Sequence, residues 1–164
     1  MEVTRSIEIN KPIDDVWEVA AHQFADIGQW ASMVTASHAA PGEGPAGGPA
    51  MAGRACETKF GKTSEIFTHF DAAQHTFTYA AEIEKQPGFI KDTSNTWKLE
   101  SIGVNKTRLS MTASSTMSAV MGAVMKFPMG RQMGKMLDLN LEEIKHYIET
   151  GRPHPRKVEA AAAA

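Results

Sequence analysis

The chain has 164 residues, 42% hydrophobic and 22% charged, with a net charge of −2. That length suits one domain, which can bury roughly 68–70% of its unfolded surface without a disulfide or a metal. The charge balance leaves no electrostatic footprint for nucleic acid or an anionic membrane. No apolar run nears the roughly 20 residues of a membrane span. The single cysteine, Cys56, excludes an internal disulfide. No signal-peptide pattern opens the chain, so a soluble cytoplasmic protein is expected.

Residues 3–9 alternate apolar and polar side chains and predict a strand. Pro12 then suits the first position of a helix, with Asp14 and Asp15 in its first turn, where the helix dipole favours negative charge. Ile13, Val16, Trp17 and Ala20 form its apolar stripe. A second short helix, over 23–31, carries Phe24, Ile27 and Trp30. Residues 34–40 predict a strand that ends in a connection rich in glycine and proline over 41–49. Strands follow over 53–60, 64–70 and 75–83, then a hairpin of 92–101 and 107–115. From about Met117 the period becomes helical, and Pro128 is expected to break or kink the run. The main helix is therefore placed between Pro128 and Gly151, a candidate C-cap. Residues 1–151 are read as one domain and 152–164 as a disordered tail. Strands followed by a helix argue for an α+β fold with an antiparallel sheet curved around that helix.

This order, with these residues, resembles the START-like (SRPBCC) superfamily in its polyketide cyclase/dehydrase branch. The residues that carry the resemblance are Arg5-Ser6-Ile7-Glu8-Ile9-Asn10-Lys11-Pro12-Ile13-Asp14-Asp15-Val16-Trp17 and Asp26-Ile27-Gly28-Gln29-Trp30. To these are added Gly53-Arg54, Ser64-Glu65-Ile66, Phe77-Thr78-Tyr79, Asn95-Thr96-Trp97 and the closing Leu141-Glu142-Glu143-Ile144-Lys145. The resemblance implies a helix-grip fold of about seven strands, with a deep cavity between the sheet and the C-terminal helix. Lipid-transfer domains, hormone receptors and polyketide cyclases share that fold, so fold and cavity carry over better than activity.

Strand parity turns the cavity into candidates. With large apolar side chains inward, Phe67, Phe77, Tyr79 and Trp97 face the helix, and Glu65, Ala81, Thr93 and Asn95 share those faces. Cys56 and Thr58 join them from the preceding strand. For the aromatic residues, plain core packing is an equally good account. Glu65 is more informative, because an inward carboxylate needs water, a partner such as Arg54, or a ligand hydroxyl. The resemblance to hormone receptors, which carry a glutamate at the matching strand position, adds weight to a ligand role. Met117, Met121, Met125, Met129 and Met133 recur every four residues, a stripe that drifts about 40° per step. They are core packing or an adaptable cavity wall. The ligand-binding set is thus Cys56, Thr58, Glu65, Phe67, Phe77, Tyr79, Asn95, Trp97, Met125, Met129 and Met133.

Other motifs are set aside. Residues 42–47 match G-x-G-x-x-G, but Pro45 and Pro49 forbid the helix that must follow. Gly61-Lys62-Thr63 lacks the earlier glycine of a phosphate loop. The six histidines and Cys56 show no metal-ligand or nucleophile spacing, so neither metal nor cofactor is expected. The favoured function is binding of a small hydrophobic molecule, lipid or polyketide-like, as a carrier or sensor. The alternative is a cofactor-independent cyclase or dehydratase, with Glu65 as base, Tyr79 as hydroxyl donor and Arg54 as enolate stabiliser. A third reading is a protein-interaction module built on the Met-rich helix. Neither nucleic acid nor membrane insertion is expected.

Overall fold

The computed structural model describes the backbone of residues 1–117 and 119–163, and their side chains except those of 119–123. Met121 of the methionine stripe lies outside the described side chains. The elements are β1 (Glu2–Ile9), α1 (Ile13–Trp17), a π-helical turn (Glu18–His22), a 3₁₀ helix (Phe24–Gln29), β2 (Val34–Ala40), β3 (Gly53–Thr58), β4 (Gly61–Asp71), β5 (Thr76–Ile83), β6 (Ile90–Gly103), β7 (Lys106–Met117), α2 (Ala119–Thr150) and α3 (Pro155–Ala162). The strands form one antiparallel sheet in the order β1-β7-β6-β5-β4-β3-β2. Chain neighbours pair throughout, except that α1 and the short helices carry the chain from β1 at one edge to β2 at the other. This is the helix-grip arrangement.

The alternating side chains set the inner face. Ile7 and Ile9 of β1, Leu109 and Met111 of β7, and Trp97 and Leu99 of β6 belong to one apolar cluster. Trp17 and Phe24 from the short helices meet Phe77, which tilts against Trp97 with ring centroids 5.4 Å apart. A bulge between Phe67 and His69 resets the alternation of β4. Phe67 then pairs with Tyr79 and Phe70 with Phe77, so both phenylalanines face inward. These aromatic rings fill one half of the groove between sheet and helices. Edge-to-face and offset contacts of this kind add about 0.5–1.5 kcal/mol per pair to simple burial.

The long helix departs from expectation at its start. α2 runs through Pro128 rather than beginning there. A proline inside a helix leaves the carbonyl four residues earlier without its donor. Here that residue is Val124, which is 70% exposed, so water can serve the carbonyl. Farther along, Leu137, Leu141 and Ile144 are buried against the sheet, each worth about 1.5–3 kcal/mol relative to exposure. Val124 and Phe127, near the start, face solvent.

The second departure is the tail. Residues 152–164 show no apolar period, yet α3 forms there with Pro155 at its start and the His154 ring accepting from the Arg156 N–H. Its order comes from charge rather than apolar packing, and no α3 side chain is buried. Arg156 donates to Glu142 and Glu143. Glu143, fully buried, also accepts from the backbone N–H and the hydroxyl of Ser32. Lys157 donates to the Val34 carbonyl, and Lys145 of α2 donates to the Glu8 carbonyl of β1.

Glu143→Ala should lower stability by about 2 kcal/mol in urea titration, because it removes the shared acceptor of the half-buried Ser32 and Arg156 donors. Glu142→Ala, at a solvent-exposed pair, should change it by less than about 1 kcal/mol. Gly53 marks a close approach, since a Cβ there would lie 2.0 Å from the Glu65 carbonyl oxygen. Gly53→Ala should therefore cost more than about 2 kcal/mol in the same titration.

Candidate functional site

Antiparallel partners share a face of the sheet. The register sets Arg54 opposite Glu65, Cys56 opposite Thr63, Tyr79 opposite Asn95, and Phe77 opposite Trp97. On this concave face, where the aromatic fill ends, a partly open cavity of about 130 Å³ remains. Its floor comes from β3–β6, and its walls from the 3₁₀ helix, the start of β2 and one side of α2.

Six predicted residues meet there: Arg54, Cys56, Thr58, Glu65, Tyr79 and Trp97. Phe67 and Phe77 sit behind them in the aromatic core. Asn95 is one step removed and donates its amide N–H to the Tyr79 hydroxyl. Met125, Met129 and Met133 lie on α2 away from the cavity; that helix instead offers Met136 and Asn140. Ile27, Met33, Val34, Phe60, Thr63 and Ile83 complete the lining. Thr63 was within reach of strand parity, had the strand been started at Gly61. Met33 and Asn140 carried no signal, because loop placement and helix phase depend on tertiary packing.

Arg54 organises the site. Its side chain is 2% exposed. Its Nε donates to Glu65 at 2.5 Å and its Nη1 to the Phe24 carbonyl at 2.9 Å. The guanidinium also lies 3.8 Å from the centre of the Phe24 ring. Burial, the largest influence, disfavours its charge, but Glu65 together with Tyr79 and Cys56 outweighs it and holds the guanidinium more firmly protonated than usual. Burial, and next the Glu65 charge, push the Tyr79 phenol well above its ordinary range, so it stays a neutral hydroxyl. Burial likewise pushes the Cys56 thiol up and keeps it a thiol rather than a thiolate. The Thr58 hydroxyl is committed to its own turn, donating to Gly61 and accepting from Phe60.

The cavity therefore has an apolar wall, one neutralised ion pair and several neutral polar groups. Such a surface can hold and orient an uncharged molecule. Among the described residues, no cluster of three His, Cys, Asp or Glu side chains is placed to hold a metal. No helix of the described residues is long and apolar enough to cross a membrane.

The fold recurs in solved structures of low identity. The chain is similar to an uncharacterised protein from Bacillus thuringiensis, with TM-score 0.68 and 18% identity over 90% of this chain and 98% of that one. It is similar to a START superfamily protein from Mycobacterium smegmatis, with TM-score 0.69 and 11% identity over 90% and 97%. A di-domain aromatase/cyclase, BexL of the BE-7585A biosynthetic pathway, aligns with TM-score 0.70 and 12% identity over 91% of this chain and 46% of that one. Among curated proteins, none matches the sequence significantly. The family model described as polyketide cyclase/dehydrase and lipid transport matches residues 1–149, and the chain belongs to that family.

Proposed function

We propose that this protein binds a small uncharged molecule in the cavity between the sheet and α2. The observation that carries this reading is the buried Arg54–Glu65 pair at the cavity floor. A guanidinium and a carboxylate taken out of water at this cost serve to build a rigid polar floor beneath an otherwise apolar space. The family membership and the aromatase/cyclase neighbour support the same kind of cavity use.

A cyclase or dehydrase reading has support of its own, because Glu65 and Tyr79 line one cavity. It is the weaker reading. Glu65 is already engaged by Arg54, and two of the Arg54 donors are committed to Glu65 and the Phe24 carbonyl rather than turned toward a developing enolate. The lipid part of the expectation also finds little room. A volume of about 130 Å³ lies below the roughly 300–1,000 Å³ of sites for drug-sized ligands.

Breaking the pair should be costly and mending it cheap. Glu65→Leu alone should destabilise by about 3 kcal/mol, whereas Arg54→Met with Glu65→Leu should cost clearly less than the two single changes together. A double-mutant cycle by chemical denaturation reads this, and an additive cycle would show that the two charges do not depend on each other. Cys56 supplies a binding assay, since it lines the cavity. With its thiol pushed up by burial, iodoacetamide should react slowly at pH 8 and faster as pH rises past the ordinary thiol range. A bound molecule should slow alkylation further. Alkylation unaffected by every member of an apolar and aromatic panel would count against the binding reading.

A further inference from the structure

Just beneath the cavity floor lie side-chain atoms whose hydrogen-bonding capacity is unspent. Trp97 is 2% exposed, and its Nε1–H has no acceptor among the described residues. Thr63 is 9% exposed, and its hydroxyl has no partner either. Both residues line the cavity. The Trp97 indole N–H faces the Tyr79 hydroxyl and the Thr63 hydroxyl faces the Cys56 thiol, but neither approach meets hydrogen-bond geometry. The Tyr79 oxygen accepts from Asn95, which leaves its own proton to give.

Leaving a buried polar group unpaired costs its full desolvation. A site that carries such groups is built for a molecule that satisfies them, and it rejects an analogue that does not. The sign of the array is readable. An indole N–H can only donate, and the Tyr79 hydroxyl has a proton to donate, so the partner missing on the cavity side is an oxygen acceptor; the unpaired acceptor Asn95 Oδ1 belongs to a residue outside the cavity lining. The size is readable too. An apolar cavity of about 150 Å³ accepts benzene, and this one is about 130 Å³.

Resting on the proposed binding function, we infer that the ligand is a single-ring molecule bearing a carbonyl or hydroxyl oxygen. That oxygen is received by Trp97 Nε1 and the Tyr79 hydroxyl, with the Thr63 hydroxyl alongside. The ring lies against the apolar wall that Ile27, Val34 and Met136 supply. A carboxylate is disfavoured, since the Glu65 charge stands in the same cavity and the one guanidinium is already paired.

The test compares three probes of nearly equal size, toluene, phenol and cyclohexanone, with a fourth, the somewhat larger anion benzoate. Kd values come from protection of Cys56 against iodoacetamide, and the indole N–H signals are followed by nitrogen-15 NMR. Trp97→Phe identifies which of the three tryptophan signals belongs to Trp97. Phenol and cyclohexanone should bind at least about tenfold more tightly than toluene, consistent with one hydrogen bond to a buried donor. Both should move the Trp97 N–H signal downfield, toluene should not, and benzoate should bind worst. In Trp97→Phe the advantage of the oxygenated probes should shrink to about twofold or less. Thr63→Val, which keeps the shape of the side chain, guards against a variant that fails to fold; it should raise Tm and reduce the same advantage.

Toluene binding as tightly as phenol in the wild type would overturn the polar-array inference while leaving the cavity in use. Tight binding of benzoate would overturn the assigned charge preference. Failure of all four probes to protect Cys56, with the protein folded, would overturn the array inference together with the single-ring size. Failure of the broader apolar panel as well would take the binding function with it.

Discussion

Everything in the candidate site hangs on a single buried cation. Arg54 is fixed by three different kinds of contact: an ion pair to β4, a hydrogen bond to the backbone of the 3₁₀ helix, and a stacked ring from that same helix. Together they tie β3 to β4 and to the 3₁₀ helix, so the guanidinium sets the spacing between the sheet and the short helices. Without it, Phe24 would lose its partner at the boundary between the filled aromatic half of the groove and the open half. The close approach of β3 and β4 at Gly53 serves the same end, since the strand must pass tightly by the Glu65 carbonyl for Arg54 to reach the Glu65 side chain.

The electrostatic character of the cavity follows from that arrangement. Two full charges are present, and each cancels the other. The remaining polar groups, Tyr79, Cys56, Thr58, Thr63, Trp97 and Asn140, are all neutral, by burial or by their chemistry. A surface of this kind discriminates by hydrogen-bond direction and by shape, not by charge. It differs from a proton-transfer site, where opposing environments push two titratable groups toward different protonation states. The description of the family covers both polyketide chemistry and lipid transport, and the binding function proposed above uses the neutral lining for recognition.

How much of this was legible beforehand depended on whether the signal was local. The strands and their inward faces were readable because alternation is written residue by residue, and Arg54 could be named as a partner for Glu65 before any geometry was known. The β4 bulge was not readable, and it brought Phe70 inward beside Phe67. Nor was the path of α2. Proline is a breaker when its missing bond must be made inside the protein, and Pro128 sits where solvent can make it. Which side of α2 meets the cavity followed from its packing over β1. That choice turned Met136 and Asn140 toward the site in place of Met125, Met129 and Met133. The order of α3 was hidden for a related reason: it is tied down by Arg156 and Lys157 to distant partners, and composition alone does not disclose such partners.

Those lysine contacts matter for how molecules of this protein meet one another. An open sheet has two borders, and at each a row of backbone groups stands ready to accept a strand from another chain. Here the borders are β1 and β2. At β1 the Lys145 ammonium sits on the Glu8 carbonyl, and at β2 the Lys157 ammonium sits on the Val34 carbonyl. Both lysines come from the last stretch of the chain. The segment that closes the grip thus also posts a lysine at each border of the sheet, where an incoming strand would have to displace it. The residues that finish the fold also raise the cost of adding a strand at either edge.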